Sequence, residues 1–230
     1  MTTQHLATKA PARKAAKPYK GLAMEGLIAT WYAKNTRNGR EFETMAQRLR
    51  TIVPAGSRIL EVAPGPGYLA LELAKGGAYT VVGLDISKSF VEIAQSNARQ
   101  AGVTVEFQQG NAAAMPFDAA TFDFIVCCAA FKNFTEPIAA IEEMARVLRP
   151  GGQALINDLR KDASLADIDT HIAGMGMNRL NRLFTKFIFR QTLLKNAYTP
   201  ADIRSFVAQT SFDHCTIDND GIGMAIWLKK

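Results

Sequence analysis

Ile59-Leu-Glu-Val-Ala-Pro-Gly-Pro-Gly67 is a short apolar run that ends in a loop rich in glycine and proline. An amphipathic segment, Gly67 to Lys75, follows directly, and a second apolar run, Thr80–Asp85, comes after it. A strand, a tight loop, a helix and another strand in this order predict a βαβ unit with two parallel strands.

The alternation of apolar strands and amphipathic helices continues from Arg58 to Asp158, which indicates a parallel sheet with helices on both faces. The end of the chain departs from it, because two short strands flank Asp218-Asn-Asp-Gly221, a strong hairpin signal. We therefore predict an α/β, Rossmann-like fold whose seven-stranded, mostly parallel sheet ends in an antiparallel hairpin. The predicted strands are Arg58–Val62, Thr80–Asp85, Thr104–Gln108, Phe122–Ala129, Gln153–Asp158, Cys215–Ile217 and Gly223–Leu228.

The basic charge of the chain lies at its start. The formal net charge is +6 over 230 residues, and residues 1–20 hold five basic residues and no acid. Because this segment has little to bury, we predict a disordered basic tail, either a solubilising leader or a tether to nucleic acid or an anionic surface. Residues 21–230 are predicted to form one domain, with a helical cap over 21–55 and a lid insert over about 162–198.

The composition is that of a globular protein. Apolar residues make up 48% and charged residues 21%, which excludes disordered, collagen-like and coiled-coil classes. The longest apolar run, Phe124 to Phe131, is too short for a transmembrane helix, and the N-terminus lacks the apolar segment of a signal peptide. Cys127, Cys128 and Cys215 are too few for a disulfide framework and lack metal-ligand spacing. We expect a cytoplasmic protein without a metal.

The loop after the first predicted strand fits the pattern Gly-x-Gly-x-x-Ala from Gly65 onward, and Asp85 ends the second predicted strand. The pattern alone is compatible with a dinucleotide fingerprint, or with a tight turn that binds nothing. A pyrophosphate needs backbone N–H donors and no negative charge nearby. Here Pro64 and Pro66 remove two donors, and Glu61 adds a carboxylate. The loop suits a ligand with a ribose and a cationic end, such as S-adenosylmethionine.

Further residues are predicted to line the same pocket. Asn111 follows the third predicted strand, at the edge where open α/β sheets bind ligands. We predict that Asn111 hydrogen-bonds to the adenine edge and that Met115 packs on the ring, with core filling as the alternative for Met115. The N-terminal helix, with Tyr19, Trp31 and Tyr32, is predicted to supply the other wall, and Tyr32 to reach the cofactor carboxylate.

Six motifs follow one another over roughly residues 58–160. They are Ile59-Leu-Glu-Val-Ala-Pro-Gly-Pro-Gly67, Val82-Gly-Leu-Asp85-Ile-Ser, Met115-Pro-Phe, Phe122-Asp-Phe, Phe131-Lys-Asn-Phe134 and Glu142-Glu-Met-Ala-Arg-Val-Leu-Arg-Pro-Gly-Gly152. This ordered set resembles the class I S-adenosylmethionine-dependent methyltransferases. The part from Met115 to Gly152 is most similar to the ubiquinone and menaquinone C-methyltransferases and their small-molecule relatives. The family usually has Gly-Cys or Gly-Gly where Ala63-Pro64 stand, and an acid where Asn111 stands.

The resemblance implies a role for each matching position. Glu61 would lie beside the methionine ammonium, and Asp85 would hold the ribose diol. Gly65 and Gly67 would pass beneath the cofactor, and Cys128 would line its methionine side. The complete predicted cofactor-binding set is Tyr32, Glu61, Gly65, Gly67, Asp85, Ile86, Asn111, Ala112, Met115 and Cys128.

The methyl acceptor leaves few marks in the sequence. In-line transfer from a sulfonium needs alignment and exclusion of water, and a general base only if the acceptor must lose a proton. The weak candidates for the acceptor side are Lys132, Asp158, Arg160 and His171. As alternatives, Asp158 and Arg160 pair with each other, and His171 is a surface residue. We predict a small acceptor, aromatic or lipophilic.

Basic residues recur at helical spacing after Gly174, opposite an apolar stripe, which predicts a lid helix with a basic outer face. This face is either simply solvated or meets an anionic partner, a membrane surface or another subunit. The basic positions are Arg179, Arg182, Lys186 and Arg190, and the apolar ones are Leu180, Leu183, Phe184, Phe187, Ile188 and Leu194.

Three other functions compete with this interpretation. An RNA or protein methyltransferase would use the basic tail and the lid helix, although nucleic acid is not the partner we expect. A module that binds S-adenosylmethionine without catalysis would have the same loop. A nicotinamide enzyme would share the glycine pattern.

Overall fold

The computed structural model describes residues 19–21, 23–37, 40–174, 185–186 and 194–230. Within these residues, the strands are β1 (Arg58–Val62), β2 (Thr80–Asp85), β3 (Glu106–Gln109), β4 (Phe122–Cys128), β5 (Leu148–Leu159), β6 (His214–Asp220) and β7 (Gly223–Lys229). They form one sheet in the order β3-β2-β1-β4-β5-β7-β6. The first five strands pair in parallel, and β7 runs antiparallel to both β5 and β6. The predicted seven-stranded sheet with a terminal hairpin is confirmed.

The hairpin turn lies two residues later than the sequence predicts. Strand β6 continues to Asp220, which pairs with Gly223, so the loop consists of Gly221 and Ile222. Gly221 has a φ of 53°, a left-handed conformation that glycine adopts without steric cost. The pairing with β7 therefore extends through the residues that were predicted to turn.

Helices cover both faces of the sheet. They are α1 (Gly26–Thr36), α2 (Arg40–Arg50), α3 (Tyr68–Ala74), α4 (Lys88–Ala101), α5 (Pro137–Val147), α6 (Leu165–Gly174) and α7 (Pro200–Val207), with a 3₁₀ turn at Phe131–Asn133. Helices α2, α3 and α4 pack in one hydrophobic cluster, and α5 and α7 in another. Strand residues such as Ile59 and Leu60 are buried on opposite faces, which explains why β1 is an almost continuous apolar run.

The sheet order places a topological switch point between β1 and β4. From β1 the chain builds outward through β2 to β3, and it then returns to add β4 on the other side of β1. The carboxyl ends of these parallel strands meet at one edge, where diverging loops leave a crevice. Val62, Asp85 and Cys128 are the last residues of β1, β2 and β4, so the predicted site residues share this edge.

Two of the predicted segments fall mainly outside the described residues. Residues 1–18 of the basic tail are among them, as are residues 175–184 and 187–193, which hold most of the predicted lid stripe. In the described part, Lys186 forms an ion pair of 2.7 Å with Asp169 of α6. None of the helices in the described ranges is both long and apolar enough to cross a bilayer.

Candidate functional site

The loop after β1 turns sharply at the switch point. Ala63, Gly65 and Gly67 all have positive φ angles, of 56°, 55° and 82°. Ala63 stands where the resembling family usually has glycine, so an L-residue bears a left-handed conformation at the mouth of the site. The Gly65 N–H donates to Oδ2 of Asp85 at 2.9 Å. The loop is thereby attached to the end of β2.

Gly65 and Gly67 are glycines for different reasons. A Cβ on Gly65 would lie 3.9 Å from the Phe90 ring, an ordinary contact, so its φ alone favours glycine. A Cβ on Gly67 would lie 2.7 Å from Phe107 Cζ and 3.0 Å from the Ala94 Cβ. Gly67 therefore allows the start of α3 to pack closely against α4 and β3. The predicted approach of Gly67 to the cofactor is not what requires its small size.

Asp85 is a buried carboxylate, 5% exposed, whose two oxygens each accept one backbone hydrogen bond. Oδ2 accepts from Gly65, and Oδ1 accepts from the Ser87 N–H at 2.9 Å. Burial raises the pKa of Asp85 to about 6, although the N–H groups of Ser87 and Gly65 favour the ionised form. Each oxygen retains acceptor capacity, which suits a ligand with two adjacent hydroxyl groups.

Glu61 lies in β1 beside the loop, is 4% exposed, and its Oε2 has no hydrogen-bond partner among the described residues. Burial raises the pKa of Glu61 to about 8, opposed by the Ala70 N–H and reinforced by the charge of Asp85. An unpaired buried carboxylate oxygen is costly unless a cation satisfies it. The site therefore fits a ligand that carries an ammonium group beside a ribose.

The N-terminal residues contact α4 and the segment after β4. Tyr32 on α1 contacts Phe90 edge to face, with ring centroids 5.7 Å apart, and it is 37% exposed. Tyr19 pairs with Phe134 as an isolated antiparallel bridge, and the neighbouring Lys20 N–H donates to the Asn133 carbonyl at 2.7 Å. Tyr19 and Lys20 belong to the segment predicted as a tail, yet here they contact the residues after β4.

Trp31 does not join this wall. Its side chain is 66% exposed on the outer side of α1, whereas the buried residues of α1 are Ala29 and Ala33. At helical spacing these two alanines lie opposite Trp31. The prediction that Trp31 lines the pocket is therefore wrong, because α1 packs through its small residues.

The segment after β3 is closely turned. The Asn111 Oδ1 accepts from the Ala113 N–H at 3.0 Å, so this side-chain oxygen is engaged in its own turn. Ala112 is partly buried against the core. Met115 is 5% exposed within the same cluster, and its N–H donates to Glu143 at 2.6 Å. The burial of Met115 supports the core-filling alternative.

A buried ion pair joins the residues that follow β4 to the end of β5. Lys132 Nζ lies 2.9 Å from Asp158 Oδ1, and both side chains are almost fully buried. The Lys132 N–H also donates to Asp158 Oδ2 at 2.8 Å, and Nζ donates to the Ala129 carbonyl. The alternative in which Asp158 pairs with Arg160 is wrong. Arg160 instead lies 3.4 Å from Asp162.

The remaining predicted residues differ in their relation to the site. Cys128 is half-buried at the end of β4, and burial together with the charge of Glu61 raises the pKa of its thiol. Ile86 is half-buried directly after Asp85. His171 is an exposed residue of α6, a helix that packs through Ile168 and Ile172 in a separate small cluster. The structure thus gathers Glu61, Asp85 and Cys128 at one edge and leaves His171 on another helix.

The sequence analysis did not predict the Lys132–Asp158 pair or the pairing of Tyr19 with Phe134. Both depend on residues far apart in sequence that the register of β4 with β5 and the course of the N-terminus bring together. The motif Phe131-Lys-Asn-Phe134 was the available signal, because it contains Lys132 and the Asn133 that Lys20 contacts. Across the described residues, no group of three or more His, Cys, Asp or Glu side chains is placed to hold a metal ion.

The chain is similar in sequence to known methyltransferases. Residues 59–152 match the family model described as "Methyltransferase domain". The chain is 33% identical over 149 residues to O-methyltransferase resE of Aspergillus sclerotiorum, which covers 61% of this chain and 56% of the relative. It is 32% identical over 108 residues to demethylmenaquinone methyltransferase of Deinococcus radiodurans, covering 46% of this chain and 45% of the relative. The chain spans between about a third and just over half of the length of such relatives.

The fold comparison extends further along the chain. A crystal structure of a SAM-dependent methyltransferase from Aquifex aeolicus superposes with a TM-score of 0.68 at 17% identity, covering 87% of this chain and 97% of that one. This likeness concerns the fold alone. The matched segment, however, carries the loop and both buried carboxylates described above. Residues 59–152 of this chain therefore match a methyltransferase domain, and the fold is the one seen in S-adenosylmethionine-dependent methyltransferases.

Proposed function

We propose that this protein transfers a methyl group from S-adenosylmethionine to a small acceptor, aromatic or lipophilic. One observation carries the proposal: the unpartnered buried oxygen of Glu61 lies beside a loop whose Gly65 is bonded to the buried Asp85. This combination suits an ammonium group and a ribose diol, and it repels a pyrophosphate. When bound, the cofactor supplies an electrophilic methyl group on a sulfonium.

The residues of this chain would bind and orient the cofactor. Glu61 would neutralise the ammonium group, and Asp85 would accept from the two ribose hydroxyls while it holds the loop through Gly65. Cys128, with a raised thiol pKa, stays uncharged and forms part of the wall. The protein would accelerate transfer chiefly by alignment and exclusion of water, because displacement at a sulfonium releases a neutral thioether.

The acceptor end of the site combines aromatic rings with one buried ion pair. Phe131 contacts Phe134 and Tyr198, with ring centroids 5.5 and 5.8 Å apart. Lys132 and Asp158 lie next to them at the ends of β4 and β5. Phe131 and Phe134 are buried, so they would form an apolar floor beneath the acceptor rather than contact it, which favours an apolar or planar acceptor. The named relatives, an O-methyltransferase and a demethylmenaquinone methyltransferase, support the same class and do not favour an RNA or protein acceptor.

Titration calorimetry with S-adenosylmethionine and with NAD tests the cofactor. We expect the wild type to bind S-adenosylmethionine and not NAD. Asp85→Ala should weaken binding by about a hundredfold or more, since two hydrogen bonds to a charged group are lost. Asp123→Ala is the matched control, because Asp123 also accepts a backbone N–H, that of Arg58 at 2.7 Å, but lies at the opposite end of the strands. Binding of NAD alone, or equal losses in both variants, would contradict the proposal.

The acceptor can be sought directly. The protein is incubated with radiolabelled S-adenosylmethionine and a metabolite extract, and labelled products are separated by solvent partition and chromatography. We expect label in a small molecule that enters the organic phase, and no label with Asp85→Ala. Label that is recovered only in RNA or protein would refute the acceptor class. No transfer at all, despite tight binding, would point to a non-catalytic binding module.

A further inference from the structure

Helix α1 exposes the kind of side chain that a helix usually buries. Among the residues that the structure describes, six large hydrophobic side chains are exposed, and four of them belong to α1. These four are Leu27, Ile28, Trp31 and Tyr32, and Leu27 is 88% exposed. The residues through which α1 packs on the protein are instead Ala29 and Ala33. The usual arrangement, with large apolar residues inward and polar residues outward, is therefore reversed in this helix.

Leu27 and Trp31 share one face of α1, because residues four positions apart are neighbours on a helix surface. Lys34 lies in the last turn, three residues after Trp31, and so belongs to the same face. We call Leu27, Trp31 and Lys34 the outer face of α1. An apolar helix face with basic residues beside it is typical of helices that lie at the boundary between water and a bilayer, where tryptophan is also enriched.

The sequence on both sides of this face is strongly basic. Residues 1–40 contain eight basic residues and one acid, Glu25. No acid occurs between Gly26 and Arg40. The basic residues, which we call the basic flanks, are Lys9, Arg13, Lys14, Lys17, Lys20, Lys34, Arg37 and Arg40. Their charge is complementary to an anionic surface.

The acids near α1 do not cancel this charge, because they are engaged within the protein. The Glu25 carboxylate accepts from the N–H groups of Lys88 and Ser89 at 3.1 and 3.0 Å. It therefore interacts with the positive end of the α4 dipole. Glu92 on α4 lies 3.8 Å from the ammonium group of Lys88.

Helix α1 is attached at the carboxyl edge of the sheet. The Gly26 N–H donates to the Ser89 hydroxyl at 2.9 Å, in the first turn of α4, which follows β2. Near the other end of the helix, the Tyr68 hydroxyl donates to the Ala33 carbonyl at 2.7 Å. Tyr68 is the first residue of α3, which follows β1. A partner bound to the outer face of α1 would therefore lie beside the edge that holds Glu61 and Asp85.

We propose that the outer face of α1 docks on an anionic lipid surface, with Leu27 and Trp31 in the interfacial layer and the basic flanks against the headgroups. A second copy of the chain fits this face less well, because it would bring two sets of basic flanks together. The proposal goes beyond methyl transfer and does not depend on it. Docking of this kind would present the cofactor crevice to the phase in which a lipophilic acceptor dissolves.

Sedimentation of the full chain with lipid vesicles tests the proposal. One set of vesicles is phosphatidylcholine alone, and the other is equal parts phosphatidylcholine and phosphatidylglycerol. We expect the wild type to bind the anionic vesicles at least about tenfold more tightly, since several basic residues approach the headgroups. The double variant Leu27→Gln/Trp31→Gln should weaken this binding by about tenfold to a hundredfold, because two apolar side chains no longer enter the interface. Leu165→Gln is the matched control, since Leu165 is equally an exposed leucine but lies on α6.

Tryptophan fluorescence gives a second readout on the unaltered protein. The chain has two tryptophans, Trp31 and the half-buried Trp227. We expect anionic vesicles to shift the emission of the wild type to shorter wavelength, because Trp31 leaves water. The shift should be absent in Trp31→Phe, in which only Trp227 emits.

Each other outcome would overturn the proposal. A wild type that does not bind anionic vesicles, or that binds them without a shift in emission, rules out docking through α1. Equal losses in the double variant and in Leu165→Gln exclude a specific role of the outer face. Self-association of the wild type that the double variant abolishes, without vesicle binding, would assign the face to a second copy. Thermal denaturation checks that the double variant is folded, and titration with S-adenosylmethionine tests the proposed function separately.

Discussion

Glu61→Gln should raise the stability of the ligand-free protein and abolish cofactor binding. In the folded chain, burial raises the pKa of Glu61 from 4.5 to about 8. Between these pH values the native state retains a proton that the unfolded state releases, so stability falls as pH rises. At about 1.4 kcal/mol per pH unit, the loss is about 3 kcal/mol at pH 7 and about 5 kcal/mol at pH 8 and above. Glutamine does not ionise and so avoids this loss, and its side-chain oxygen can still accept the hydrogen bond from the Ala70 N–H.

Urea denaturation at pH 5 and pH 8 measures the effect. We expect Glu61→Gln and the wild type to differ by less than about 1 kcal/mol at pH 5, and the variant to be more stable by about 3 to 5 kcal/mol at pH 8. Saturating S-adenosylmethionine should then stabilise the wild type by mass action and leave the variant unchanged. The expected result is therefore a variant that gains stability and loses its ligand.

Glu43→Gln is the control, because it makes the same substitution at an exposed position on α2. If Glu61→Gln is no more stable than the wild type at pH 8, burial of the Glu61 carboxylate does not destabilise the folded protein. If the variant binds S-adenosylmethionine as tightly as the wild type, Glu61 does not pair with its ammonium group. Either result would refute the reasoning on which the site rests.

Three further predictions follow from the geometry. Gly67→Ala should lower the free energy of unfolding, measured by urea denaturation, by about 3 kcal/mol or more, because its Cβ would meet Phe107 at 2.7 Å. Gly65→Ala should lower it by about 1 to 2 kcal/mol through its φ alone. Equal losses would contradict the packing role of Gly67. Lys132→Met should lower the free energy of unfolding by about 3 to 5 kcal/mol, because it leaves the buried charge of Asp158 unpaired. Adding Asp158→Leu should restore most of this stability. Additive losses in the double variant would contradict the pairing. Cofactor binding at pH 7 should release close to one proton from Glu61. The release is detected by calorimetry as a binding enthalpy that varies with the ionisation enthalpy of the buffer. A binding enthalpy that does not vary would contradict a raised pKa of Glu61.

Much of the fold could be predicted because each βαβ unit is local in sequence. Helix α4 illustrates this: its bounds, Lys88–Ala101, follow from local signals, since Ser87 caps its N-terminus and Gly102, at φ 66°, ends it. Strand β5 shows the limit. It begins at Leu148 rather than Gln153, because Leu148 pairs with Phe122 ahead of a register shift. An irregular pairing of that kind depends on the neighbouring strand and leaves no periodic signal.

The residues of the candidate site likewise divide into those that local sequence predicts and those that depend on tertiary contacts. Glu61, Gly65 and Asp85 belong to one βαβ unit, so their spacing alone brought them together in the prediction. Lys132 and Asp158 stand on different segments, and the sequence offered Arg160 as an equally reasonable partner for Asp158. The register of β4 with β5 made the choice.

The sequence by itself determined the order of strands and helices, the stiff proline-containing loop and the two acids beside it, because short-range periodicity and residue chemistry suffice for them. Only the tertiary structure decided that Gly67 serves packing, that Met115 lies in the core, that Trp31 is exposed and that Tyr19 pairs with Phe134. These outcomes depend on which surfaces meet across the sheet edge, and contacts between distant segments have no counterpart in local spacing.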